Sequence, residues 1–270
     1  MSHTHALPHD PTSSPLVNIL GVRITALNLE SAVAICRRNI QERRCFRAHF
    51  CTVHSIMEAR RSLELRRALN SAELALPDGM PLVWLAHHSG VTCADRVDGP
   101  DFMLRMCETG IEDGLRHFFY GGRPGVPERL ANQLEARFPR LNIVGMYSPP
   151  FRRTGAIEEA KVIDLINNAA PDAVWIGLGT PKQDLWLAQH RPFLSAPLLA
   201  AVGAAFDFHA GLIRQAPQWM QQRGLEWMYR LSREPRRLWH RYLVYNPLFV
   251  ASVLVQQLGA QQYPIDERQE

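Results

Sequence analysis

Short apolar runs alternate with longer amphipathic stretches through the first 211 residues, and no other feature narrows the fold as far. The apolar runs fall at 17–20, 48–53, 72–76, 117–120, 142–146, 173–178 and 198–202. Between them, 29–43, 55–68, 80–89, 101–108, 126–138, 156–169 and 181–190 carry apolar side chains at helical spacing, as Ala160, Ile163 and Ile166 do. A strand reaches a parallel neighbour only through a crossover, and a helix of this length supplies one. The pattern predicts an α/β chain, a mostly parallel sheet flanked by helices. Ligands of such sheets bind at the carboxyl ends of the strands.

Beyond Gly211 the texture changes. Between Leu212 and Asn246, seven arginines (214, 223, 230, 233, 236, 237, 241) face only Glu226 and Glu234, whereas the whole chain of 270 residues has a net charge of +4. Trp219, Trp227, Tyr229, Trp239 and Tyr242 interleave with them, and Pro217 and Pro235 stand where helices can begin. The expectation is a core over 16–211 and a basic helical appendage over 212–263. Arg230, Arg233, Arg237 and Arg241 recur at three or four residues and form one stripe. Charge so localised implies an anionic partner: a membrane surface, a diphosphate or a nucleic acid. Residues 1–15 read as a disordered tail, not a signal peptide, and His3, His5 and His9 belong to it. No stretch reaches the roughly 18 apolar residues of a spanning helix. Cys36, Cys45, Cys51, Cys93 and Cys107 include no C-x-x-C pair and read as packed thiols in a reducing compartment.

Two strand–helix junctions are glycine-rich, and a helix N-terminus there offers N–H groups to a phosphate. One is Tyr120-Gly121-Gly122-Arg123. The other is Gly179-Thr180-Pro181-Lys182-Gln183, where Thr180 is a candidate N-cap and Pro181 the first helical residue. Neither completes G-x-G-x-x-G, and no acidic residue follows at ribose-binding spacing, which argues against a nucleotide-dependent oxidoreductase or methyltransferase. Pro77-Asp78-Gly79 is a turn, an N-cap or a carboxylate at a strand end able to act as a general base. In Asp95-Arg96-Val97-Asp98-Gly99-Pro100-Asp101, Asp101 reads as an N-cap and Arg96 as a phosphate or carboxylate contact. The chain has no D-x-D and no metal-ligand histidine spacing, so no metal is expected.

Taken together, these stretches resemble the WecG/TagA/CpsF family of bacterial glycosyltransferases (glycosyltransferase family 26). The resemblance rests on Thr52 to Glu58, Leu76-Pro77-Asp78-Gly79, Arg96-Val97 with Gly99, Tyr120-Gly121-Gly122 and Gly179-Thr180-Pro181-Lys182-Gln183-Asp184. It continues through Gly203, Phe206-Asp207, Ala210-Gly211, Gly224-Leu225-Glu226-Trp227, Tyr229-Arg230-Leu231 and Glu234-Pro235, all in order. It implies a Rossmann-like core and inverting, metal-independent transfer without a cofactor, from a UDP-sugar to a polyprenyl-diphosphate-linked sugar. It also implies an appendage docked on the inner leaflet of the cytoplasmic membrane. By that resemblance Asp78 is the base with Thr52 beside it. It makes Arg96 and Gln183 pocket residues and Arg230, Arg237 and either His240 or Arg241 diphosphate contacts; the glycine-rich junctions add Gly121, Gly122, Thr180 and Lys182 to the substrate site, with His54 near it. The family's asparagine two residues after the threonine is His54 here, and its P-K-Q-E is P-K-Q-D. With these departures the donor does not carry over from the family's acetamido-sugar members; some relatives use UDP-glucose in exopolysaccharide assembly, and a hexose donor of that kind is the expectation. The alternative is an N-acetylmannosaminyl or N-acetylmannosaminuronic acid transferase for teichoic-acid-like or common-antigen glycans. Nucleic acid is not an expected partner; a homo-oligomer is allowed.

Overall fold

A computed structural model describes residues 14–150 and 155–265, so His3, His5 and His9 lie outside the described residues. The first apolar run does not join the main sheet. Leu16–Ile19 (β1) folds back on Val22–Thr25 (β2) as a separate antiparallel hairpin. Its turn residues Leu20 and Gly21 both have positive φ, 53° and 86°, as a type I′ turn requires. The Leu20 N–H donates to Gln256 Oε1 at 3.0 Å, and the Gly21 N–H to Asn18 Oδ1 at 2.9 Å.

Helix α1 (Leu29–Gln41) follows, then β3 (Phe46–Cys51), α2 (Val53–Arg61), α3 (Leu63–Ser71), β4 (Leu74–Pro77), α4 (Met80–His88) and α5 (Gly99–Thr109). The single helix expected over 55–68 is two. Ser62 is extended, and its hydroxyl accepts from the Leu65 N–H, so it ends α2 and caps α3. Next come β5 (Arg116–Gly121), α6 (Val126–Arg137), β6 (Asn142–Tyr147), α7 (Ala156–Ala169), β7 (Ala173–Gly177), α8 (Lys182–His190) and β8 (Leu198–Ala201). Strands β3 to β8 form one parallel sheet in the order β4-β3-β8-β7-β5-β6. Both faces are covered, which is why the strands read as unbroken apolar runs. Phe119 and Trp175 enter the cluster shared with α1, α5 and α6; Phe118, Val174 and Ile176 enter the one under α7 and α8.

The remaining helices are α9 (Ala205–His209), α10 (Gln218–Gln222), α11 (Glu226–Arg233), α12 (Pro235–Trp239), a π-helical turn (His240–Val244) and α13 (Tyr245–Gln257). The segment expected as one appendage therefore divides. Residues 212–244 reach across the strand ends, whereas α13 returns to the core. There Tyr245, Phe249 and Val253 pack with β1, β2, α2 and α4. Cutting the chain after Leu212 would strip that apolar cluster, not release an intact core. Cys36, Cys51 and Cys107 are buried as expected, but Cys45 and Cys93 are exposed. Among the described residues no helix is long and apolar enough to cross a membrane.

Candidate active site

The carboxyl ends of β3, β4, β5, β7 and β8 open into a cleft of about 1360 Å³, whose opposite wall is built from residues 208–246. The two glycine loops meet at its floor. The Gly122 N–H donates to the Gly177 carbonyl at 2.9 Å, and a Cβ on Gly121 would stand 2.6 Å from the Gly177 backbone. Gly122 lines the cleft; Gly121 is buried behind it. In the second loop Pro181, not Thr180, occupies the cap position of α8, and no side-chain cap bond forms. Thr180 and Lys182 line the cleft. Gln183 lines it too, but its amide is engaged: Oε1 accepts from the Gly179 N–H at 3.0 Å and Nε2 donates to the Ala201 carbonyl at 2.9 Å. Gln183 thus ties the loop after β7 to the end of β8.

Asp78 stands at the end of β4, its N–H donating to the Cys51 carbonyl at 2.8 Å. Gly79, not Asp78, is the N-cap of α4, with no side-chain cap bond. The Asp78 carboxylate instead faces the cleft and Arg96 Nη2 at 3.8 Å. Burial pushes this carboxyl well above its ordinary range; Arg96 pulls the other way, and Asp98 and Glu226 add to the rise.

Arg96 is held entirely by acceptors on the protein. Its Nη2 donates to Asp98 Oδ2 at 2.7 Å and to Glu226 Oε2 at 2.9 Å, and its Nη1 to Gln221 Oε1 at 2.6 Å. Asp98, and not Asp101, caps α5, accepting from the Asp101 N–H at 3.2 Å. Asp98, Gln221 and Glu226 were not singled out in the sequence. The acidic spacing around Arg96 hinted at Asp98, but Gln221 and Glu226 are over a hundred residues away. Burial raises the Asp98 carboxyl to about 7, Arg96 opposing it. A folded value above the unfolded one (about 3.9) means the native state holds the proton more tightly. The stability this confers is complete below pH ~4 and lost as pH rises through ~7. Asp98→Asn keeps a capping oxygen. In melts across that window, the wild-type midpoint is expected to fall relative to that of the variant.

The appendage brings its arginines to the far wall. Arg230 and Arg241 each hold a buried Nε–H with no hydrogen-bond partner among the described residues, and His54 Nδ1 is likewise unpartnered. Arg230 lies over the Phe208 ring at 5.7 Å; Arg241 Nη2 contacts Thr52 Oγ1 at 3.5 Å. Arg237 lines the cleft but is largely exposed and pairs with Glu234 at 2.6 Å. His240 is exposed outside the cleft wall, its ring 5.1 Å from that of Tyr245, while Arg241 faces in. Thr52 serves as the N-cap of α2 in a capping box with Ser55. His54 stacks on Tyr245, and burial, with Arg241 and His240 nearby, lowers its imidazole to about 3. The neutral ring therefore presents hydrogen-bonding nitrogen without charge. Of the two departures from the family pattern, only His54 borders the cleft. Asp184 is buried below it, 2.7 Å from His49 Nδ1. Among the described residues no group of three His, Cys, Asp or Glu side chains is set to hold a metal ion.

A parallel sheet whose strand ends carry a recessed carboxylate, with guanidinium groups on the opposite wall, has the layout of a group-transfer site. The chain matches the "Glycosyl transferase WecG/TagA/CpsF family" over residues 17–263 and belongs to that family; it is a glycosyltransferase. It is similar to the N-acetylglucosaminyldiphosphoundecaprenol N-acetyl-beta-D-mannosaminyltransferase of Bacillus spizizenii, 30% identical over 197 residues, covering 73% of this chain and 74% of the relative. The enzyme of the same name from Bacillus subtilis is 28% identical over 201 residues, 74% of this chain and 76% of its own length. These names favour the N-acetylmannosaminyl alternative over the expected UDP-glucose and exopolysaccharide reading.

Proposed function

We propose that this glycosyltransferase moves N-acetylmannosamine from a UDP donor onto a polyprenyl-diphosphate-linked N-acetylglucosamine, inverting the anomeric centre. The observation that carries the reading is that the Asp78 carboxylate shares the cleft with Arg230 and Arg241, which bear on it electrostatically and whose buried Nε–H groups have no acceptor among the described residues. Asp78 takes the proton of the acceptor hydroxyl as that oxygen attacks the anomeric carbon. The bond from that carbon to the β-phosphate oxygen breaks on the opposite face. The UDP so released gains negative charge, which Arg230 and Arg241 offset from the cleft wall.

The acceptor is tethered to a lipid, and the appendage suits a membrane surface. Trp219, Met228, Trp239 and Leu243 are exposed on the same stretch that carries the arginines, and Leu254 on α13 and Leu258 just after it are exposed as well. The proposed working place is therefore the inner face of the cytoplasmic membrane, with the protein bound peripherally.

The test is to incubate the full chain with polyprenyl-diphosphate N-acetylglucosamine in vesicles and a panel of labelled UDP-sugars. Label from UDP-N-acetylmannosamine is expected in the lipid phase, and at the same rate with a chelator of divalent cations present. Transfer from UDP-glucose in its place would overturn the donor assignment. Loss of transfer on chelation would overturn the role given to the arginines.

A further inference from the structure

Arg96 joins two parts of the molecule that meet only in the folded state. Its short hydrogen bonds go to Asp98 of the core and to Glu226 and Gln221 of the appendage, leaving Asp78 at 3.8 Å, outside hydrogen-bond distance. The turn that delivers Glu226 is seated tightly. Gly224 has φ +68°, and a Cβ there would meet the Trp84 ring at 2.9 Å and Met80 at 3.2 Å, both on α4, the helix that begins just after Asp78. Only glycine allows that approach at that backbone angle.

We propose that Glu226 is a positioning residue which, when the appendage docks, draws the Arg96 guanidinium away from Asp78 and so readies Asp78 to accept a proton. The inference rests on the reading of Asp78 as the base. An arginine has a limited fork of donors. With Glu226 in place, two of the closest contacts of Nη2 are already taken. Without it, the same nitrogen is free to close on Asp78 as a tight ion pair, which would depress the basicity of the carboxylate. Glu226 acts a second way, since its own negative charge disfavours ionisation of Asp78. Both effects run in one direction. The other charged groups bearing on Asp78 are Asp98 at the start of α5, Arg230 on α11 and Arg241, with the Cys51 thiol behind it on β3. None of these except Arg230 and Arg241 arrives with the appendage, and both are cations, so Glu226 is the docking group that raises the proton affinity of the base.

The test uses the full chain labelled with carbon-13 at aspartate carboxyl groups, with the Asp78 resonance identified by its loss in Asp78→Asn. The wild-type titration midpoint should lie above the ordinary carboxylate range. In Glu226→Gln, which keeps an acceptor oxygen for Arg96, it should fall by about one pH unit. Glu226→Asp, which keeps the charge, should recover at least half of the difference. An unchanged or higher midpoint in Glu226→Gln, or a midpoint in Glu226→Asp as low as in Glu226→Gln, overturns the proposal. Wild-type turnover by Asp78→Asn in the vesicle assay would instead overturn the reading of Asp78 as base, leaving the titration to stand by itself.

Discussion

Asparagine in place of Asp78 should lower turnover by about 10²- to 10⁴-fold, the usual contribution of a positioned general base, with a melting temperature equal to or above that of the wild type. The two expectations are linked by the same geometry. No cap bond is lost, because Gly79 occupies the cap position of α4. The backbone bond from position 78 to the Cys51 carbonyl is kept, since the amide side chain does not disturb it. Burial holds the native Asp78 carboxyl above its unfolded range. Raising the pH above the unfolded carboxylate range therefore costs the wild type stability, and a neutral amide of the same shape removes that cost. Below the ordinary carboxylate range the two proteins should melt alike. Steady-state transfer rates and thermal melts of the purified variant check both. Turnover within a few-fold of wild type, together with a lower melting temperature, would return Asp78 to the role of a turn residue.

The second large effect is expected at Arg230. Replacement by alanine should reduce kcat by about 10²- to 10³-fold, as loss of one well-placed donor to a developing anion does, with a smaller change in KM. Arg230 is selected over Arg237 because its Nε–H is buried and without an acceptor among the described residues, whereas Arg237 is largely exposed and engaged by Glu234. An exposed, paired guanidinium contributes less to a charge formed inside the cleft. Arg230→Lys should recover little activity, because an ammonium lacks both the planar fork and the stacking surface that the Phe208 ring meets. Kinetics with the donor and acceptor varied separately measure the split between kcat and KM. If Arg230→Ala turned over like wild type, the appendage arginines would have no part in stabilising the leaving group.

Much of the fold was legible because it depends on neighbours close in sequence. The apolar runs at 117–120 and 173–178 became β5 and β7 nearly residue for residue, and Pro235 opens α12. Where short-range rules competed, the sequence misled. Three aspartates stand at three-residue spacing, and the cap of α5 fell on Asp98, one step before the residue expected. The Thr180-Pro181 pair suggested a hydroxyl cap that α8 does not use. The run at 17–20 looked like a sheet strand, yet a tight turn at Leu20-Gly21 sends it into its own hairpin.

The site divides along the same line. Asp78 at a strand end, the paired glycines at the floor and the arginine stripe could each be found from local pattern and from the family resemblance. No local pattern said that Gln183 would be spent on Gly179 and Ala201, or that Asp184 would turn down to His49. None said that His240 would lie outside the cleft wall that Arg241 joins. The sequence by itself determined the layered α/β architecture, the edge of the sheet that carries the chemistry and the sign of the charge near the chain's end, because periodicity and composition act over a few residues. Only the tertiary structure decided which charges meet. Arg96 and Glu226 are 130 residues apart along the chain and 2.9 Å apart in space, and electrostatic energy depends on the second of these distances alone.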